Sequence, residues 1–172
     1  MRRPAILLIL ASFTIAGCGY HTVGASTHLP PDVTTLSIPV FATRTNAYRT
    51  ETVMTAAVIR EFATRTRLRV TPDPNGDPDT TLHGTILTQT VAPLTYNSQT
   101  QQSSSFLITL TAAVTLTARD GRVLYKNDNY VFRQQYQATT DLPTFLDESP
   151  AAVDRLSRDF AKALVSDVLE SF

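Results

Sequence analysis

The chain has 172 residues, with 15 Lys+Arg against 15 Asp+Glu, three histidines, one cysteine and no tryptophan. That length suits one domain with a single core, and the even charge excludes nucleic-acid binding through a general basic field. The lone cysteine excludes an internal disulfide, a C-x-x-C redox pair and any cysteine-rich zinc site. Threonine is abundant at 27 residues; it is β-prone and polar, which suits strands with a wet outer face.

Arg2 and Arg3 precede an apolar run from Ala5 to Ile15. A membrane-crossing helix needs about 20 apolar residues, so the run reads as the core of a signal peptide over residues 1–17. It ends in Ile15-Ala16-Gly17-Cys18, which resembles the bacterial lipobox. The resemblance implies cleavage before Cys18, diacylglycerol on its sulfur and an acyl chain such as palmitate on its amine. No other cofactor is expected. Each buried methylene contributes about 0.8 kcal/mol, and two or more chains anchor stably where one does not. Gly19 stands where an aspartate would resemble an inner-membrane retention signal, so the expected place is the periplasmic side of the outer membrane, anchored in its inner leaflet. Without Arg2 and Arg3 the chain keeps 13 basic and 15 acidic residues, so any anion recognition must be local.

Residues 18–32 read as a tether closed by Pro30-Pro31, and residues 33–172 as one domain. Val33 to Phe41 alternates Leu36, Ile38 and Val40 with polar positions, a strand in which Pro39 cannot donate to a ladder. Asn46 to Thr66 has helical spacing, with Met54, Val58 and Phe62 on one face. A short strand over Leu68 to Thr71 follows, then a Pro/Asp/Asn/Gly loop to Asp79. Thr80 to Val91 reads as a strand with Leu82, Gly84, Ile86 and Thr88 on one face and His83 on the other. Asn97 to Ser104 is a polar connection.

Phe106 to Ala118 is the clearest strand, with Phe106, Ile108, Leu110, Ala112, Val114 and Leu116 on one face and Thr109, Thr111, Thr115 and Thr117 on the other. Asp120-Gly121 signals a two-residue hairpin. Its register aligns Val123 and Tyr125 with Ala118 and Leu116 but would turn Tyr130 and Phe132 outward. One extra residue within Lys126–Asn129 sets Tyr130 opposite Ala112, Phe132 opposite Leu110 and Tyr136 opposite Phe106, so the pattern predicts a β-bulge there. Asp141 to Asp147 reads as a short turn. Ser149 as N-cap and Pro150 at the first helical position then open a helix with the stripe Val153, Leu156, Phe160, Ala163, Leu164 and Val168. The order predicts an α+β domain: a two-layer sandwich with two helices on one face of a mainly antiparallel or mixed sheet.

Catalytic chemistry finds little footing. Asp73, Asn75, Asp77 and Asp79 have calcium-loop spacing, but Pro78 holds the position a glycine needs and Gly84 that of the closing glutamate. No serine sits in a G-x-S-x-G elbow. His21 and His28 fall in the tether, and Asp147-Glu148 suits a helix N-terminus. The reading is non-enzymatic. Two basic groups, Arg65, Arg67 and Arg69 (with Arg60 nearby) and Arg119, Arg122 and Lys126, are either solvated faces or anion sites for phosphorylated lipid headgroups.

Taken in order, Cys18-Gly19-Tyr20-His21, Leu29-Pro30, Ile38-Pro39-Val40-Phe41, Arg44-Thr45, Glu51, Ala57-Val58, Glu61-Phe62, Ser149-Pro150, Asp154-Arg155-Leu156, Asp159-Phe160 and Leu169-Glu170-Ser171-Phe172 resemble the LptE family of lipopolysaccharide-assembly lipoproteins. The resemblance implies a small domain of two helices and a four-stranded sheet, seated 1:1 in the lumen of the large translocon β-barrel, LptD. There it would support barrel assembly, plug the pore and help deliver lipopolysaccharide to the surface. Such lumens are polar, so Thr109, Thr111, Thr115 and Thr117 become candidates for a barrel-facing surface; plain solvent exposure explains them equally. The alternative is another outer-membrane lipoprotein scaffold without a lipopolysaccharide role.

Overall fold

The computed structural model describes residues 33–47, 49–97, 102–139, 146–147 and 149–171. The signal peptide, Cys18, the tether with His21 and His28, residues 98–101 of the polar connection, residues 141–145 of the short turn and Glu148 lie outside them. The elements are β1 (Thr35–Ser37), β2 (Ala42–Thr43), α1 (Thr50–Arg65), β3 (Arg69–Thr71), β4 (Thr80–Asn97), β5 (Gln102–Ala118), β6 (Val123–Thr139), β7 (Leu146–Asp147) and α2 (Ser149–Glu170).

They form an α+β sandwich whose sheet runs β3-β1-β4-β5-β6-β7, with β2 also on β4. β1 is parallel to β3 and β4, which requires a crossover between β1 and β3, and α1 supplies it. From β4 to β7 every pairing is antiparallel. Among the described residues the sheet thus has seven strands, not the four that the family resemblance implies. Part of the difference is Pro39, which interrupts the first strand. The chain rejoins β4 only at β2, where the Arg44 amide donates to the Ile86 carbonyl at 2.9 Å. Short β7 adds the last strand, pairing with Ala138 and Thr139 at the end of β6.

Both helices bury their stripes on one sheet face. Met54, Val58 and Phe62 of α1 and Leu156, Phe160, Leu164 and Val168 of α2 close over Leu82, Ile86, Ile108, Leu110, Ala112, Val114 and Leu116. Helix α1 starts at Thr50, later than its apolar spacing alone predicts, because Arg49 sits at φ 58 in the left-handed region, where a side chain costs roughly 1–2 kcal/mol. In α2 the buried set is wider than the predicted stripe. Ser157, Ala161, Val165 and Leu169 are buried too, whereas Val153 and Ala163 are only half-buried. Helix α2 packs on α1 as well as on β6, so it needs two apolar faces.

The β5–β6 register carries the predicted bulge. Phe106, Leu110 and Ala112 lie opposite Tyr136, Phe132 and Tyr130, while Val114 pairs with Asn127, so the shift falls between Asn127 and Tyr130. The hairpin tip differs from expectation. Gly121 takes φ 84 and its amide donates to the Ala118 carbonyl, while Ala118 N–H donates to Arg122 C=O at 2.8 Å. That is a three-residue loop with a left-handed glycine. Val123 therefore faces Thr117 instead of Ala118 and is 57% exposed. A second shift at Leu124 restores Tyr125 opposite Leu116.

β4 also departs from its predicted alternation. A shift between Ile86 and Thr88 turns Thr88 to the open face and Gln89 inward, opposite Leu110. Both strands run on through residues that read as connection, to Asn97 and from Gln102. Pro93 is tolerated because β4 there pairs only with β5, leaving its other edge open. Gly84 has a packing reason: a Cβ there would meet the Phe41 ring at 2.5 Å. Behind β6, the Tyr130 hydroxyl donates to Asp167 Oδ2 at 2.7 Å and touches the Tyr125 hydroxyl. Burial, then these two contacts, raise the Tyr130 pKa above that of free tyrosine.

Candidate functional site

The sheet face away from the helices carries no helix among the described residues. Its centre is the outward face of β5, where Thr109, Thr111, Thr115 and Thr117 are half-buried between flanking strands. On β4 they lie opposite Thr90, Thr88, His83 and Thr81; on β6 they lie opposite Arg133, Val131, Lys126 and Val123. The surface is hydroxyl-rich, with Lys126 and Arg133 at its β6 border, and His83 on it is exposed. Thr117 Oγ1 donates to the Thr81 carbonyl at 3.3 Å, a bond across strands that fixes one rotamer. Chemically the face offers a broad array of alternating donors and acceptors with interspersed methyls.

The arginines separate. Arg65 straps the helices together, donating to Ser166 Oγ at 2.8 Å and reaching Glu61 at 3.7 Å. Arg67 precedes β3 and Arg69 opens it; both are exposed, and among the described residues neither has an acidic partner. At the hairpin tip every candidate cation is paired. Arg119 contacts Asp77 Oδ1 at 3.2 Å and Asp79 Oδ1 at 3.0 Å, Arg122 contacts Asp120 at 2.6 Å, and Lys126 contacts Asp128 at 2.9 Å. The Arg122 hydrogen bonds hold the Asp120 carboxyl below its ordinary pKa. The two basic groups thus do not form one patch: an unpaired pair at the β3 edge stands apart from a neutralised tip.

Asp79, which the sequence presents as a loop residue, is a structural clamp. Its Oδ2 accepts from the amides and hydroxyls of both Thr34 and Thr35, each at 2.9 Å. The Asp79 amide donates back to Thr35 Oγ1 at 2.8 Å. The amide of Thr34, then the hydroxyls, hold the carboxyl far below the usual carboxylate range. Asp73 Oδ1 meanwhile accepts from the Asn75 amide in a local turn. The calcium-spaced residues are thus committed to a turn, to the Asp79 clamp and to Arg119.

The match to known proteins decides what this scaffold is. The Lipopolysaccharide-assembly family LptE matches residues 33–168, the span of the folded domain. The chain belongs to the LptE family. No curated protein matches it in sequence. Among solved structures it is similar to rare lipoprotein B from Shewanella oneidensis at TM-score 0.51 and 11% identity, covering 80% of this chain and 95% of that one. It is likewise similar to the hypothetical protein CT253 from Chlamydia trachomatis at TM-score 0.51 and 9% identity, covering 80% and 96%. At those identities the likeness is one of fold. LptE membership gives the chain a role in lipopolysaccharide assembly at the outer membrane, in a family of non-catalytic lipoproteins. Among the described residues no helix is long and apolar enough to cross a membrane.

Proposed function

We propose that this chain is the lipid-anchored small subunit of the lipopolysaccharide translocon, held by acyl chains on Cys18 and seated 1:1 in the lumen of the LptD barrel. There it supports the barrel's assembly, plugs its pore and assists passage of lipopolysaccharide to the surface. The observation that carries the reading is the uncovered threonine face. The face gathers Thr81, Thr88, Thr90, Thr109, Thr111, Thr115 and Thr117, and a polar barrel wall can exchange hydrogen bonds with such hydroxyls at little desolvation cost. Arg67 and Arg69, exposed and without acidic partners among the described residues, are cations that can meet lipopolysaccharide phosphates. Purification of the native lipoprotein in mild detergent is expected to recover the barrel in equal amount; its absence from the eluate would remove the reading.

A further inference from the structure

Of the five asparagines in the chain, only Asn75 precedes a glycine. Asn75 and Gly76 are both exposed, at the middle of the loop between β3 and β4. The loop is tied down on either side of them. Upstream, the Asp73 amide donates to Thr71 Oγ1 at 3.2 Å and the Asn75 amide to Asp73 Oδ1 at 2.8 Å. Downstream, the Asp77 carbonyl accepts from Arg119 at 2.6 Å, and Asp79 holds Thr34 and Thr35. Between these ties, the Asn75 side chain and the Gly76 amide make no hydrogen bond among the described residues.

The fold does not require a glycine at 76. Its φ lies outside the left-handed region, and a Cβ there would meet nothing within 4 Å. Gly121 differs, with φ 84 and its amide bound to the Ala118 carbonyl. What the missing side chain at 76 does is leave the backbone nitrogen unscreened and the peptide free to turn. Asn127 differs from Asn75 as well: its Oδ1 accepts from the Asn129 amide at 2.9 Å, and the residue after it carries a side chain. Asp120, the other acyl group before a glycine, is held by Arg122 at 2.6 Å.

We propose that Asn75 is a self-modification site, deamidating without an enzyme through the Gly76 nitrogen. That nitrogen loses its proton and bonds to Asn75 Cγ, closing a succinimide ring. The bond from Cγ to the side-chain nitrogen breaks, and that nitrogen leaves as ammonia. Water then opens the ring at either carbonyl. One opening gives aspartate; the other gives isoaspartate, with the main chain rerouted through the side-chain carbon. In sum one water enters and one ammonia leaves, and a neutral residue becomes a carboxylate between Asp73 and Asp77. Rate comes from proximity: nucleophile and electrophile are chain neighbours, and no contact in the loop holds either of them away.

The full chain carrying Cys18→Ala is kept at neutral pH and physiological temperature, sampled over weeks, digested and read by mass spectrometry. A synthetic peptide spanning Thr71 to Thr80 is followed alongside. The Asn75 fragment is expected to gain the mass of a hydroxyl in place of an amino group, as a mixture of aspartate and isoaspartate. Its rate should lie within about tenfold of the free peptide's, because the fold adds no barrier there. Fragments holding Asn46, Asn97, Asn127 and Asn129 should stay unchanged over the same interval. Gly76→Ala, whose added methyl meets no neighbour, should slow the conversion by about tenfold or more; a circular-dichroism melt checks that it folds. Survival of Asn75 in the folded chain while the peptide converts, conversion to aspartate with no isoaspartate, or undiminished conversion in folded Gly76→Ala would each overturn the proposal.

Discussion

Phe160→Ala is expected to cost about 3–5 kcal/mol of unfolding free energy, the largest effect of any single truncation in this domain. Phe160 is fully buried, and three rings meet it edge to face: Phe41 at 6.2 Å, Tyr130 at 5.5 Å and Phe132 at 5.5 Å. Such pairs add roughly 0.5–1.5 kcal/mol beyond area burial, and the surrounding rings are too rigid to collapse into the space. They come from two places, the chain beside β2 and the region of β6 just past its bulge, and meet Phe160 at the centre of α2. Losing Phe160 therefore unlatches α2 from the sheet. Since domains of this size are stable by only about 5–15 kcal/mol, the variant should sit close to unfolding at physiological temperature. Phe160→Leu, which keeps most of the volume but not the ring edges, should cost clearly less. Urea unfolding of the Cys18→Ala chain measures both, and a Phe160→Ala loss below about 1 kcal/mol would mean that the aromatic cluster does not join the two layers.

Asp79→Asn is the second large effect, at about 2–3 kcal/mol, the scale of hydrogen bonds to a charged group left incomplete. The Asp79 side chain is 23% exposed, so screening by water is partial. The sign with pH follows from its lowered pKa. The carboxylate's contribution is complete above the unfolded pKa of about 3.9. It declines as pH falls below that value, because the unfolded state then binds the proton first. Wild type should therefore lose stability faster than Asp79→Asn between about pH 5 and about pH 2, and the two unfolding midpoints should converge. A gap between them that stays constant over that range would show that the carboxylate is not the clamp. A further check is local: amide exchange at Thr34 and Thr35 should quicken in the variant.

What the sequence reveals here, and what it hides, has a consistent physical cause. The β6 bulge is legible because two constraints collide: the hairpin tip sets one register and the aromatics Tyr130, Phe132 and Tyr136 demand another. The β4 shift is hidden because Ile86 and Leu87 are both apolar, so neither face announces itself. The tip loop is mis-sized by one residue because Asp-Gly serves two-residue and three-residue hairpins alike. The outer ends of β4 and β5 read as loop because the polar sequence there, such as Asn97 and Gln102-Ser103-Ser104, has no hydrophobic period to detect. Asp79 looks like any loop aspartate, since its partners Thr34 and Thr35 lie 45 and 44 residues away. The arginines show the same limit from the other side. Proximity in sequence groups Arg119, Arg122 and Lys126, whereas only their acidic neighbours in space reveal that the group is neutralised.

The threonine face was legible as a pattern, four residues of one parity on β5, and its meaning depends on what lies against it. The most direct measurement is site-specific photo-crosslinking in cells. A photoreactive side chain is placed at Thr111 or Thr115 on the open face and, for comparison, at Arg158 on the exposed side of α2. If the threonine face is seated against the translocon barrel, Thr111 and Thr115 give abundant adducts with the barrel and Arg158 gives far fewer. Adducts with the barrel from Arg158 and none from Thr111 or Thr115 would contradict the account.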